Sequence, residues 1–261
     1  MGYLFCLVAL LACTLGKICG MGGGVLIKPM LDAFGLLSVE TINFYSACTV
    51  TAMSGWSVGK SLKSGEQQLD LRISTPLALG AALGGFAGKV LFSRVAASFP
   101  DPNTAGGVQA AILFSLTLLT LLYTLRKNAI RGLQVRNVLG CVLIGLALGA
   151  LGAFLGIGGG PFNMAALYLF FSVPTKQAAE NSLYVILISQ IAGLLKTFLS
   201  ASVPAFAPLL LLGMVFCGIL GSELGSRLNS RLNEKTATRA FEGAMLLVMG
   251  ISVYNFCQFL F

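Results

Sequence analysis

The stretch GKICGMGGG at residues 16–24 recurs as GAFLGIGGG at residues 152–160, and this pair of glycine clusters shows how the chain is organised. A shift of 136 residues superimposes the two clusters. The same shift aligns Ser46 with Ser182. We therefore interpret the chain as an internal duplication in which each half carries one cluster.

The duplication divides the chain into three parts. We predict a first membrane half at residues 1–125, a basic cytoplasmic linker at 126–136 and a second membrane half at 137–261. Of the 261 residues, 56% are hydrophobic and only 10% are charged, whereas a soluble domain carries roughly 25% charged residues. Because so few polar side chains cannot hydrate a globule, the apolar surface must face lipid. The composition predicts a multi-pass integral membrane protein, and we expect it in the plasma or bacterial inner membrane.

A spanning helix needs about 20 mostly apolar residues. The hydropathy pattern predicts an all-α polytopic protein with eight long transmembrane helices. They lie near 2–20, 40–59, 72–92, 106–125, 136–156, 178–199, 206–227 and 238–259. Two short apolar segments, 25–36 and 161–172, directly follow the glycine clusters. Twelve helical residues extend about 18 Å, short of the roughly 30 Å hydrocarbon core, so these segments are predicted to be half-helices.

Charge indicates how the halves are oriented, because cytoplasmic loops collect lysine and arginine. Loops 60–72, 126–136 and 227–239 hold three, four and four of the 17 basic residues. The repeat counterparts, 196–208 and 91–103, hold one each. Corresponding loops of which one is rich in basic residues and the other is poor in them are typical of inverted halves. Re-entrant short segments would instead place loop 227–239 on the side opposite the other two basic loops.

Several classes of function are disfavoured by residue types. The chain has no histidine, which excludes metal sites with imidazole ligands and acid–base catalysis by histidine. Its seven cysteines lie in apolar segments without CxxC spacing, so neither a disulfide framework nor a metal site is expected. The basic residues are scattered through short loops, which argues against nucleic-acid binding. We predict no cofactor, no metal and no catalytic residues.

The glycine clusters are the strongest candidate for a binding site. Consecutive glycines break a membrane helix, and broken backbone is tolerated at membrane depth where it lines a cavity or is buried in protein. Each half-helix would direct free N–H groups and a positive dipole end at that cavity. Close helix packing is the alternative explanation. The candidate anion-binding glycines are Gly22, Gly23, Gly24, Gly158, Gly159 and Gly160.

At these residues the chain resembles a known family. GMGGGVLIKPML at 20–31 and GIGGGPFNMAAL at 156–167, within a duplicated helical chain, resemble the sulfite exporter TauE/SafE family. The resemblance implies an integral membrane transporter of sulfite or small organosulfonates, driven by an ion gradient. The second half departs from the pattern of the first, since Ala165 replaces the proline and Pro161 and Asn163 follow the glycines. The resemblance therefore leaves room for an asymmetric site and another anion.

Polar residues near the clusters complete the candidate site. Lysine at membrane depth is costly unless it is paired or faces water, so Lys17 is a candidate anion ligand, with Asp32 as its alternative structural partner. For Lys28, two interpretations are equally favoured: the side chain snorkels to the membrane interface, or it binds the anion. The remaining candidate ligands, whose polar groups suit sulfonate oxygens, are Ser46, Asn163, Asn181 and Ser182. Helix–helix hydrogen bonds for the serines and a first-turn position for Asn181 are the competing interpretations.

Two acidic residues bear on proton coupling. Glu180 is interpreted first as a carboxylate favoured near a helix N-terminus. Glu223 stands four residues before Arg227, a spacing that predicts an ion pair on one helix face rather than a proton relay. The proton path is left open by the sequence.

The leading hypothesis is a secondary transporter that moves a small inorganic or organosulfur anion by alternating access around the glycines, with H⁺ as the candidate coupling ion. No P-loop sequence is present for ATP binding. A passive anion channel is the alternative. A membrane-embedded enzyme is the least favoured hypothesis, because the predicted spans hold no close carboxylate pair.

Overall fold

The computed structural model describes residues 2–64, 69–99, 102–126, 132–135, 137–200 and 203–260. Within these residues all regular structure is helical, which confirms the all-α prediction. The helices are α1 (Gly2–Cys19), α2 (Gly24–Asp32), α3 (Val39–Ser64), α4 (Leu71–Ala97), α5 (Pro102–Arg126), α6 (Val138–Phe154), α7 (Gly160–Phe171), α8 (Thr175–Leu199), α9 (Pro208–Arg231) and α10 (Glu234–Leu260). Lys127, Arg131 and Arg136 of the predicted linker lie outside the described residues.

Six of these helices are long and apolar enough to cross a bilayer, namely α1, α4, α5, α8, α9 and α10. The prediction of eight such helices is therefore not confirmed. Helix α3 has 26 residues but carries a serine or threonine in nearly every turn, and α6 has 17 residues. Both helices lie at the predicted positions, but α3 is more polar than predicted and α6 is shorter.

Each glycine cluster forms a sharp turn that ends one helix and begins a short one. Gly20 and Gly22 adopt positive φ angles of 68° and 69°, and their repeat counterparts Gly156 and Gly158 adopt 70° and 76°. Side chains disfavour this left-handed backbone, so glycine is required there. Helix α2 has nine residues and α7 has twelve, which agrees with the predicted half-helices.

The first turn folds α2 back along α1. Helices α1 and α2 form a helical hairpin. A Cβ atom at Gly16 would lie 2.5 Å from the carbonyl carbon of Gly22, so α1 contacts the backbone of the turn that follows it. At the other end of the hairpin the rings of Phe5 and Phe34 are 6.2 Å apart. The chain consequently returns, before α3 starts, towards the end of the molecule at which α1 begins.

The ten helices fall into two sets of five, and each set packs against the other. At a shift of 136 residues the bounds of α1–α5 agree with those of α6–α10 to within about one turn. Helix α4 packs against α6, while its counterpart α9 packs against α1. Helices α3 and α8 pack together, as do α5 and α10. Every one of these pairings is retained when the two sets are exchanged.

The central pair, α3 and α8, is antiparallel. Phe44 lies early in α3 and its ring is 6.2 Å from that of Phe198, which lies late in α8. Further along the pair, a Cβ atom at Gly55 would contact Leu187 at 3.7 Å. The two ends of this pair therefore combine the start of one helix with the end of the other.

Glycines bring the backbones of α4 and α6 into direct contact. Side chains at Gly80, Gly84 and Gly88 would collide with carbonyl oxygens of α6, and the Gly84 position faces Leu146. Helix α9 uses Gly221 in the same way against the Leu10 carbonyl oxygen of α1. Small residues permit such close approach between membrane helices, where van der Waals packing drives association.

We expect Gly84→Ala to lower the thermal stability of the purified protein, because one methyl group would force two backbones apart. Overpacking of this kind typically costs about 1–3 kcal/mol. Gly250→Ala is the matched control, since a Cβ atom at that helical position meets nothing within 4 Å. Melting curves in detergent should show a decrease for the first variant and none for the second. Equal melting temperatures would contradict the contact between α4 and α6.

Candidate functional site

The two glycine turns meet in the interior of the bundle. A Cβ atom at Gly24 would lie 3.0 Å from the carbonyl oxygen of Ile157, and one at Gly160 would collide with the carbonyl oxygen of Met21. These two contacts are repeat counterparts of each other. The structure thus brings together the two sets of glycines that the sequence singled out.

The short helices begin at this meeting point without side-chain caps. Gly23 is the N-cap of α2 and Gly159 is the N-cap of α7. The first backbone N–H groups of a helix have no intrahelical acceptor, and its dipole is positive at this end. Two uncapped helix N-termini therefore lie close together, an arrangement that suits an anion.

Three of the predicted polar residues are buried, and two of them, Ser46 and Asn163, lie beside glycines of the turns. Ser46 and Ser182 are fully buried, and neither hydroxyl has a hydrogen-bond partner among the described residues. The Ser46 hydroxyl is 3.3 Å from where a Cβ atom of Gly24 would lie. The Asn163 carboxamide is buried beside Gly159 in the first turn of α7.

Asn181 makes hydrogen bonds between helices. Its side-chain oxygen accepts hydrogen bonds from the backbone N–H of Asp70, at 2.9 Å, and from the Ser74 hydroxyl, at 2.7 Å. These contacts attach α8 to the beginning of α4. The side-chain oxygen of Asn181 is therefore occupied by helix packing.

The predicted pairing of Lys17 with Asp32 is wrong. Lys17 forms a buried ion pair with Glu180, and Asp32 instead pairs with Lys28 at 2.7 Å. Lys28 is buried, so it does not snorkel to an interface. Glu180 lies in the second turn of α8, and a cation from the opposite half neutralises it, which the interpretation from helix position alone did not include.

The predicted pair of Glu223 and Arg227 is confirmed, with 3.0 Å between the carboxylate and the guanidinium. Lys60 also contacts the Glu223 carboxylate at 2.8 Å, and Trp56 donates its indole N–H to it at 3.3 Å. This cluster joins the end of α3 to the end of α9. The basic residues at the ends of these two helices consequently lie at the same end of the molecule.

Two cavities approach the glycine turns from the two ends of the α3–α8 pair. The Lys89 cavity, of about 170 Å³, lies at the end where α3 begins. The Lys60 cavity, of about 310 Å³, lies at the end where α3 finishes. Their linings correspond at the repeat shift, so that Lys196 matches Lys60 and Thr197 matches Ser61. A larger cavity, of about 770 Å³, is lined by no residue of either glycine cluster.

The Lys89 cavity reaches the second glycine turn. Gly156 and Gly158 line it, and the Gln190 amide nitrogen lies 2.7 Å from where a Cβ atom of Gly158 would stand. Gln190 is 7% exposed and makes no hydrogen bond among the described residues. The buried side-chain oxygen of Asn43, beside Gly156, also lacks a partner there.

Lysine side chains supply positive charge to this cavity. The Lys89 ammonium donates to the carbonyl oxygen of Gly193 at 2.8 Å and to the Thr197 hydroxyl at 3.1 Å. Lys196 also lines the cavity, and Glu40 is the one carboxylate among the described lining residues. Sequence reasoning did not include Lys89 in the site, although a lysine within a glycine-rich apolar helix is a signal that it could have used.

Comparison with known proteins identifies the family of the chain. A sequence model described as the sulfite exporter TauE/SafE family matches residues 5–253, which is nearly the whole chain. No curated protein matches the chain, and no solved structure matches it. The family consists of integral membrane transporters, and the long apolar helices agree with a multi-pass protein. On this match, the chain belongs to the sulfite exporter TauE/SafE family.

Proposed function

We propose that this protein is a secondary carrier for sulfite or a small organosulfonate, located in the cell membrane and working by alternating access around the two glycine turns. The family match supports a membrane transporter of sulfite or a similar anion. The observation that carries the finer proposal is the Lys89 cavity, a cationic pocket that ends at Gly158. Gly158 directly precedes Gly159, the N-cap of α7, and Gly24 of α2 packs against the carbonyl oxygen of Ile157.

The lining of this cavity suits a small oxyanion. Lys89 and Lys196 outnumber Glu40, so the pocket carries net positive charge. The Gln190 amide can donate hydrogen bonds, and it has no acceptor among the described residues. Hydrogen bonds from charged donors to anionic oxygens are roughly twice as strong as neutral ones. We propose that the anion enters past Lys89 and reaches Gly22–Gly24 and Gly158–Gly160.

Within this proposal the predicted polar residues take separate roles. Ser46, Ser182 and Asn163 line the inner site, where their polar groups meet the anion after it passes the cavity. Asn181 holds α8 to α4. Lys17 is held by its buried ion pair with Glu180.

The antiparallel arrangement of α3 and α8 supports inverted halves. Under this proposal, residues 1–125 and 137–261 are two halves related by an axis in the membrane plane, and 126–136 is the cytoplasmic linker between them. The Lys60 cavity lies among the basic ends of α3 and α9, which favours the cytoplasmic side. The Lys89 cavity then opens to the opposite side, so that each cavity provides one access path.

The proposal is tested by uptake of labelled sulfite into proteoliposomes that contain the purified protein, with and without an imposed pH gradient. A carrier coupled to H⁺ should accumulate sulfite only with the gradient, and taurine or sulfoacetate should compete. A passive channel would equilibrate sulfite without accumulation. Absence of sulfite flux from folded protein, compared with protein-free liposomes, would remove the sulfite assignment.

A further inference from the structure

The two cavities differ at several corresponding positions, and two of these differences involve a buried ion pair. In the Lys89 cavity these positions hold Ala153 and Phe44, and the cavity continues to Gly158. In the Lys60 cavity the same positions hold Lys17 and Glu180, which form the buried ion pair. The ion pair is therefore a buried contact that the Lys60 cavity has and the corresponding positions of the Lys89 cavity lack.

The glycine turn behind the ion pair is sealed. Gly22, the counterpart of Gly158, is buried and does not line the Lys60 cavity. A Cβ atom at Gly22 would instead contact Ile186 at 3.1 Å and Val50 at 3.8 Å. An anion in the Lys60 cavity is thus separated from the turn by the ion pair and this apolar packing.

The energetics of the ion pair favour a contact in which another anion can replace Glu180 at Lys17. Only one Glu180 oxygen is bonded to Lys17, and the other is buried without a partner among the described residues. A buried pair repays its desolvation only when the remaining lone pairs are also satisfied, so this contact adds little net stability. Glu180 is the one carboxylate among the described residues of the cavity lining, against Lys17, Lys60, Lys176 and Arg227.

We propose that Lys17 and Glu180 form the gate between the Lys60 cavity and the glycine turns, and that an oxyanion entering this cavity opens it by replacing Glu180 at the Lys17 ammonium. The inference rests on the alternating-access function proposed above. In this inference, Lys17 contacts the anion as the anion moves from the Lys60 cavity to the glycine turns. Glu180 is then a positioning residue, because it acts on the anion through Lys17.

The gate is tested by the reactivity of a cysteine placed behind it. Val50→Cys, in a chain whose seven native cysteines are replaced by alanine, puts the thiol beside Gly22 at a fully buried position. Oriented membrane vesicles are treated with a membrane-impermeant thiol reagent from the side of the Lys60 cavity. We expect slow modification with the ion pair intact, and at least a roughly tenfold faster rate with Glu180→Gln or Lys17→Met, which corresponds to about 1.4 kcal/mol in the opening equilibrium.

Two variants separate gating from general loosening. Asp32→Asn breaks the other buried ion pair, with Lys28, and should leave the rate unchanged. The double variant Lys17→Glu with Glu180→Lys restores opposite charges and should return the slow rate. Unchanged reactivity in both single variants would overturn the gate, and so would equal acceleration by Asp32→Asn. Failure of both single variants to fold, without rescue by the double variant, would also overturn it, because the pair would then be structural.

This readout does not depend on sulfite flux. If sulfite is not transported but the cysteine reactivity changes as expected, the gate stands and the substrate assignment falls. If sulfite is accumulated while reactivity is the same in all variants, the gate falls and the proposed function stands.

Discussion

Gly159→Leu should reduce sulfite uptake to the level of protein-free liposomes while leaving the protein inserted in the membrane. Gly159 has a φ angle of 89°, and a non-glycine residue in left-handed backbone costs about 1–2 kcal/mol. A Cβ atom there would also lie 2.9 Å from the side-chain oxygen of Asn163. The substitution would therefore distort the beginning of α7 at the place where the two turns meet.

Gly23→Leu tests the first turn by a different route. Its φ angle is −67°, so the backbone itself tolerates a side chain. A Cβ atom at this position, however, would lie 2.6 Å from the Cys13 sulfur. Gly250→Leu is the control for added bulk, since its surroundings are open. Wild-type uptake in both turn variants would refute the anion site at the turns.

Lys89→Gln should raise the KM for sulfite roughly tenfold to hundredfold. A hydrogen bond that involves a charged group contributes about 1.5–3 kcal/mol, and each 1.4 kcal/mol is a tenfold change in affinity. Glutamine retains hydrogen-bond donors for Gly193 and Thr197, so it preserves part of the link between α4 and α8. Initial rates of uptake over a range of sulfite concentrations would measure the change.

Lys63→Met is the matched control, because Lys63 is exposed at the end of α3 and lines neither cavity. Its KM should equal that of the wild type. If Lys89→Gln also retained the wild-type KM, the charge of Lys89 would have no part in anion binding, and Lys89 would be a link between helices.

The glycine turns were predictable because their signal is local. Positive φ angles restrict four positions to glycine, namely Gly20, Gly22, Gly156 and Gly158. The glycines in the sequence therefore indicate the turns directly. The short helices that follow were predictable for the same reason. By contrast, α3 was predicted as an ordinary apolar span. Its hydroxyl-rich surface is accommodated by packing against other helices, and periodicity does not reveal such partners.

Charge pairing between the halves was not predictable. Lys17 and Glu180 are 163 residues apart in the chain, and their contact depends on how α1 and α8 are arranged. The pair of Lys28 and Asp32 has a spacing of four residues, so the sequence did contain that signal. The cavities depend on the space left between packed side chains, which no single segment encodes.

The exchange of packing partners between the two sets of helices has a consequence for biosynthesis. Helix α1 is made well before α9, which packs against it and begins at Pro208. The glycine face of α4 likewise has no packing partner until α6 has been synthesised. A nascent chain stopped in the linker would leave both surfaces against lipid, without the close backbone contacts that hold them in the finished protein. Completion of the bundle is therefore tied to the synthesis of α6 and α9.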